Sequence, residues 1–213
     1  GDSLWKYDYD TDFKDPYGFN GGTRCSPALS KTHSYTLGPQ GKLLCLDLTT
    51  GEKAWERDLA TDWKVPDHFF GFGCSPILYE DKLIVLVGGQ PNSAVVAFDS
   101  KTGKTLWERG GKDTWNGVPV TSESGNRPYQ WTGDEMLVSY SSPVVATIHG
   151  QPHLLCLLRQ GLVSLDPATG AFHFKYWFRS KIHESVNAAR PIVVDDQILL
   201  TAAYDVGAAL LKV

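Results

Sequence analysis

Asp47-Leu48-Thr49-Thr50-Gly51-Glu52-Lys53-Ala54-Trp55, Asp99-Ser100-Lys101-Thr102-Gly103-Lys104-Thr105-Leu106-Trp107 and Asp166-Pro167-Ala168-Thr169-Gly170-Ala171-Phe172-His173-Phe174 are three copies of one pattern. Each is Asp-x-x-Thr-Gly with an aromatic residue four positions after the Gly. The Asp carboxylate accepts backbone N–H bonds two residues on, and Gly supplies a positive φ, so the pattern predicts a tight hairpin between two strands. Gly1 and Trp5 repeat the Gly-to-aromatic spacing. A second marker lies upstream of each copy: Ser26-Pro27, Ser75-Pro76, Ser142-Pro143 and Arg190-Pro191. The unit is therefore close to 50 residues, with one insertion of about 18 in the third copy.

Within a unit everything reads as strand. Pro76–Tyr79, Lys82–Val87, Ala94–Asp99 and Thr105–Glu108 are apolar runs broken by Glu80-Asp81, by Gly88-Gly89-Gln90-Pro91-Asn92 and by the Asp-x-x-Thr-Gly hairpin. The same reading gives Val144–Ile148, Leu154–Leu158 and Gly161–Leu165, then Ile192–Val194, Ile198–Ala202 and Ala208–Lys212. Nothing sustains a 3.6-residue period, so almost no helix is expected. Four short strands per unit at this spacing predict an all-β fold, a β-propeller of four-stranded antiparallel blades. The blades are expected at about 10–57, 58–109, 110–176 and 177–213, the last completed by 1–9. Trp5, Trp55, Trp107 and Phe174 are expected to pack between blades, each stabilising by on the order of 1.5–3 kcal/mol.

Composition excludes several classes. The chain has 213 residues, 20 Lys+Arg against 24 Asp+Glu and a net charge of −4, which argues against nucleic acid as a partner. No run of 18 apolar residues is present, so no transmembrane segment is expected, and with no basic flank before an apolar core no signal peptide is expected in this stretch. Gly 21 and Pro 12 are too many for a helical protein. Cys25, Cys45, Cys74 and Cys156 have no metal-ligand spacing and sit in apolar runs or before Ser-Pro, which reads as small buried hydrophobes. They leave the redox compartment open.

Asp-x-x-Thr-Gly-x-x-x-Trp after an apolar strand resembles the tryptophan-docking repeat of pyrroloquinoline quinone (PQQ) dehydrogenases and of the wider PQQ-like propeller superfamily. The resemblance covers the whole chain. It is nearest to exported PQQ-like repeat proteins of planctomycete type, in Tyr140–Thr147, Gly161–Asp166, Val186–Ala189 and Gly207–Leu211. It implies a periplasmic or extracellular setting and a ring of seven or eight blades, of which four repeats are present here.

The insertions fall in Asp8–Arg24, Asp58–Gly73, Gly110–Tyr140 and Tyr176–Ala189, all connections between blades, while the hairpins stay short. Long loops gathered on one face predict a binding surface there. Its candidate residues are Arg24, His68, Gln90, Arg127, Tyr129, Trp131, Arg159, His183, Asn187 and Tyr204; Trp115 and Phe70 share the same loops. No catalytic residue is assigned. G-x-S-x-G is absent, and Ser26, Ser75 and Ser142 read as structural by repetition. No metal ligand is assigned either: Asp8, Asp10 and Asp12 begin like a calcium loop, but Phe13 stands at the Gly position. His149 and His153 read as a surface hairpin rather than a metal pair. Quinoprotein dehydrogenases imply a vicinal Cys pair, which this chain lacks; Glu184, Asn187, Asp134 and Asp205 match their calcium ligands and base only loosely.

Two readings follow. The first is a non-enzymatic propeller that binds a protein, peptide or saccharide, similar in this respect to the PQQ-like propeller of the outer-membrane assembly machinery, with no cofactor expected. The alternative is a quinoprotein-type dehydrogenase oxidising alcohols or sugars with PQQ and calcium. Gly1 aligns with the Gly of the repeat, and Val213 with its Asp, because Gly207–Val213 has the length of Gly41–Asp47. The last three strands then lack a fourth, and Leu4–Tyr7 lacks three. Ring closure within the chain or a larger ring satisfies both; the expectation is the larger ring, completed by remaining blades or by a second copy.

Overall fold

The computed structural model describes residues 1–19, 21–65, 70–116, 139–180, 182 and 185–213. Strands β1 (Ala28–Leu29), β2 (His33–Leu37), β3 (Lys42–Asp47) and β4 (Lys53–Asp58) form the first antiparallel sheet in sequence order. β5 (Ile77–Tyr79), β6 (Lys82–Gly89), β7 (Ser93–Asp99) and β8 (Thr105–Arg109) form the second. β9 (Val144–Ile148), β10 (Gln151–Leu157), β11 (Gly161–Leu165) and β12 (Phe172–Trp177) form the third. β13 (Ile192–Val194), β14 (Gln197–Ala202) and β15 (Gly207–Lys212) form a fourth sheet of three strands. The expected four strands are thus found in three blades; in the last, residues 1–9 do not supply the fourth. Helix among the described residues is confined to α1 (Leu59–Trp63) and a 3-10 turn over Lys112–Trp115.

In the second and third blades the middle strands read as unbroken apolar runs because those blades are covered on both faces. Leu83, Val85, Val87, Val96 and Phe98 meet Tyr35, Leu37, Leu43 and Cys45 of the first blade. Their neighbours Ile84, Leu86, Val95 and Ala97 point the other way, to Leu154, Cys156, Val163 and Leu165 of the third. Leu155, Leu157 and Leu162 then meet Ile198 and Leu200 of the fourth. Period-2 alternation therefore sorts residues between two interfaces, not between core and water.

The hairpins are built as their sequence dictates. Asp47 Oδ1 accepts from the backbone N–H groups of Thr49 and Thr50, both at 2.8 Å. Asp99 Oδ1 accepts from Lys101, Thr102 and the Thr102 hydroxyl, and Asp166 Oδ1 from Ala168, Thr169 and the Thr169 hydroxyl. Gly51, Gly103 and Gly170 have φ of 75°, 69° and 72°. The aromatic residue of one blade packs on the glycine of the next: Trp5 on Gly51, Trp55 on Gly103, Trp107 on Gly170. Trp5 Nε1 donates to Leu48 O at 2.9 Å and Trp55 Nε1 to Ser100 O at 3.0 Å. Trp107 Nε1, with Pro167 at the matching position, has no acceptor among the described residues.

The last blade departs from the expected alignment by one residue. Val213 N–H donates to Asp196 O, as Leu48 donates to Thr32 O and Ser100 to Asp81 O. Lys212, not Val213, is thus the counterpart of Asp47 and Asp99. The stretch from the turn glycine to this position is one residue shorter in the last blade, Gly207–Lys212 against Gly41–Asp47, and equals Gly161–Asp166 in length.

Candidate functional site

The residue two places before each repeated Ser or Arg of the Ser-Pro marker is Arg24, Gly73, Tyr140 or Ala188. These four equivalent positions enter the innermost strands, and the fold brings all four to one cleft of about 380 Å³, shared with Phe19, Phe70 and Val186. Its lining draws on all four interblade loops. Below it, the repeated serines form a ladder across blades: Ser26 N–H donates to Ser75 Oγ at 2.9 Å, and Ser75 N–H to Ser142 Oγ at 3.0 Å. The ladder holds the inner strands in register, and with it the spacing of the cleft walls.

The cleft is mainly apolar and aromatic. Phe70 meets Tyr140 edge-on at 5.5 Å and Tyr17 at 5.5 Å. Phe70 N–H donates to Tyr140 Oη at 3.1 Å, leaving the phenol's own proton to donate elsewhere. Burial pushes the Tyr140 phenol above its ordinary range against the pull of that bond and of Arg159 and Arg24, so it stays neutral. Gly73 is required here: a Cβ would fall 2.6 Å from the Tyr140 ring. Arg24 lies over Phe13 and Phe70, pairs with the buried Asp15 carboxylate at 2.5 Å and donates to Phe70 O at 3.0 Å. Phe19 is 77% exposed at the rim.

The other candidates are placed apart from this cleft or within the framework. Asn187 is buried, and its Nδ2 faces the carbonyls of Leu158, Phe178 and Arg159 at 2.9, 3.1 and 3.4 Å. Arg159 is buried and donates to Ser185 O at 2.8 Å. Gln90 bonds Gly88 and Gly89 carbonyls and accepts from Lys112 N–H at 2.7 Å. Tyr204 sits in the β14–β15 turn with φ of 60°, its carbonyl accepting from Ser180 Oγ. His68, Arg127, Tyr129, Trp131 and His183 lie outside the described residues, as do Asp134 and Glu184. Trp115, grouped with the loop residues by sequence, is instead buried between the second and third blades against Trp177 at 5.4 Å.

Sequence reading missed a second aromatic series. Phe13, Trp63 and Trp115 each follow a docking Trp by eight residues, and Ile182 follows Phe174 by eight. Trp63 donates to Glu108 Oε2 at 3.0 Å and meets Phe98 edge-on. The signal was present as W-x7-W in two copies. His153 was also misread as surface: it is buried, bonds Ser164 Oγ at 2.8 Å and lies 4.3 Å from the His173 ring. Burial, then His173 and His149, push its pKa down.

The quinone alternative can be tested on these residues. All four cysteines are free, and burial raises every one of them, Cys25 and Cys74 to about 12. Asn187 spends its amide on backbone carbonyls, and Asp205 sits in a turn at φ of 64°. Asp12 accepts from Gln40 Nε2, and Asp8 pairs with Lys6. Among the described residues no group of three His, Cys, Asp or Glu is placed to hold a metal ion. The described donors do not fit a calcium-bound quinone.

Residues 1–205 match the family described as outer membrane protein assembly factor BamB. The chain belongs to this family. Comparison with curated proteins gives no match. Among solved structures it is similar to the quinohemoprotein alcohol dehydrogenase from Comamonas testosteroni, at 16% identity over 84% of this chain and 32% of that one, TM-score 0.60. The computationally designed Ika4 protein aligns over 100% of this chain and 99% of that one, at 13% identity and TM-score 0.53. BamB from Moraxella catarrhalis aligns over 92% and 62%, at 15% identity and TM-score 0.43. The chain spans about a third of the length of the dehydrogenase. At these identities the likeness is one of fold, and the fold is a PQQ-like β-propeller. No helix among the described residues is long and apolar enough to cross a membrane.

Proposed function

We propose that this propeller is a non-enzymatic binding module of an exported setting, whose cleft at the interblade-loop face takes an extended peptide segment of a protein partner. The observation that carries the reading is the cleft lining: Phe19, Phe70 and Tyr140 around one hydroxyl and one guanidinium. Such a lining suits aliphatic or aromatic side chains with a few polar anchors. A saccharide needs more hydrogen-bonding groups than Tyr140 Oη and Arg24 supply. The family description, an outer membrane protein assembly factor, accords with a protein partner. Acid–base chemistry finds little support, since the cleft's one titrating hydroxyl is held neutral.

The test is selection from a random peptide library on the immobilised protein, followed by calorimetry of the selected peptides. The reading expects apolar or aromatic peptides whose affinity falls at least about tenfold, ~1.4 kcal/mol, in Tyr140→Ala. Selected saccharides but no peptides, or PQQ binding with calcium and alcohol-dependent dye reduction, would replace it by the saccharide or the dehydrogenase reading.

A further inference from the structure

Backbone bonds and packed neighbours fix Tyr140 in place. Its N–H donates to Asn187 O at 3.0 Å. The flanking Ser139 and Ser141 hydroxyls donate to Asn187 O at 3.3 Å and to Ala189 O at 2.9 Å. One edge of the ring lies against Gly73, where a Cβ would fall 2.6 Å away, and Phe70 meets the ring at 68°. The position of the phenol oxygen is thus set before any ligand arrives.

That oxygen has a proton to give. Phe70 N–H donates to it at 3.1 Å, and no acceptor among the described residues takes the phenol's own proton in return. Two guanidinium groups determine which acceptor suits it. Arg24 lines the same cleft and donates to the carbonyl of Phe70, the residue whose N–H serves the phenol. Phenol and guanidinium therefore bracket a single residue. The Asp15 side chain that pairs with Arg24 is 2% exposed against 24% for the arginine, so the pair turns its positive end to the cleft. Burial raises the phenol most; of the charged groups acting on it Arg159 comes before Arg24, and both draw it back. Arg159 is itself buried, where its charge is poorly screened. The hydroxyl donates into a positive field, and a charged acceptor there makes a bond about twice as strong as a neutral one.

We propose that the cleft recognises a carboxylate on its peptide, carried between apolar or aromatic side chains. Tyr140 Oη–H donates to one carboxylate oxygen, Arg24 and Arg159 supply the opposing charge, and Phe70 packs against the flanking groups. The inference rests on the peptide-binding reading and narrows it from any apolar segment to an acidic one.

The test is calorimetry of the parent protein with three synthetic peptides. Two are acetylated and amidated, Ala-Phe-Asp-Phe-Ala and Ala-Phe-Asn-Phe-Ala, so that they differ only in the charged group. The third, acetylated Ala-Phe-Ala-Phe-Ala, keeps a free C-terminal carboxylate. A carboxylate peptide is expected to bind at least about tenfold tighter than the Asn peptide, with the ratio shrinking at high salt. Tighter binding of the Asp peptide places the carboxylate on a side chain; tighter binding of the free acid places it at the chain end. Tyr140→Phe, which keeps the ring and removes the hydroxyl, should erase most of the difference. That variant leaves Phe70 N–H without its acceptor, and if it folds poorly the peptide comparison on the parent still decides. Equal affinities, or library-selected peptides that keep their affinity when every carboxylate is converted to an amide, overturn the inference and leave the peptide reading standing. No peptide binding at all overturns both.

Discussion

Trp55 packs so closely on Gly103 that a Cβ on the glycine would fall 2.8 Å from the indole Cε3. The glycine thus serves two ends. It adopts the φ of 69° that closes its own hairpin, and it leaves room for the preceding blade. A side chain there strains the turn and pushes the blades apart. Gly150 separates these effects, with φ of 77° and nothing within 4 Å.

Gly103→Ala is therefore expected to cost about 2–4 kcal/mol, strain plus overpacking, against about 1 kcal/mol for Gly150→Ala. Urea unfolding of the two variants measures the difference. Equal costs would mean that the indole gives way and that docking on glycine does not fix the blade spacing.

The docking tryptophans also differ in their polar end. Trp55 Nε1 has an acceptor and Trp107 Nε1 has none among the described residues. Trp55→Phe should be more destabilising than Trp107→Phe by roughly 1 kcal/mol, the net worth of one hydrogen bond. The third blade already uses Phe174 at this place.

Acid sensitivity should come in two steps. Burial depresses the His153 pKa, so the unfolded chain binds the proton more readily. Stability is complete above about pH 6.5, the unfolded histidine value, and falls as pH drops from there toward the folded value. Hydrogen bonds from Thr50 and Thr49 hold Asp47 below the usual carboxylate range, and those from Thr102 and Lys101 hold Asp99 there. At Asp166 burial opposes the shift, but the bonds from Thr169 and Ala168 together outweigh it. Their contribution is present above about pH 3.9 and is lost below it. His153→Gln should flatten the upper step and leave the lower one, as read by urea midpoints across pH 3–8.

Ellman's reagent should find no fast thiol at pH 8. Cys74 and Cys156 are fully buried and Cys25 is raised to about 12. All four should react once the chain unfolds, confirming that none is bridged.

Much of this was legible because the chain states its pattern several times. Val144–Ile148, Gly161–Leu165 and Ile192–Val194 are strands at their expected bounds. The hairpin chemistry of Asp47, Asp99 and Asp166 follows from local sequence alone. What was not legible depends on neighbouring blades. Arg24, Gly73, Tyr140 and Ala188 are unlike one another, so only the ring geometry reveals that they share a cleft. Asn187 and Gln90 are polar loop residues in sequence, and only tertiary packing shows their amides spent on backbone carbonyls. Trp115 failed for the converse reason: an aromatic in a long insertion looks like a ligand platform until its counterpart Trp63 is noticed.

The central claim is that ligand binds in the cleft between the interblade loops. Photo-crosslinking tests it most directly, with a benzophenone amino acid placed at Phe19 on the cleft rim or, separately, at Phe172 on β12, which is exposed outside it. A library-selected peptide should cross-link from position 19 and not from position 172, and unlabelled peptide should compete the product away. Cross-linking from position 172 alone, or equally from both, would contradict the account.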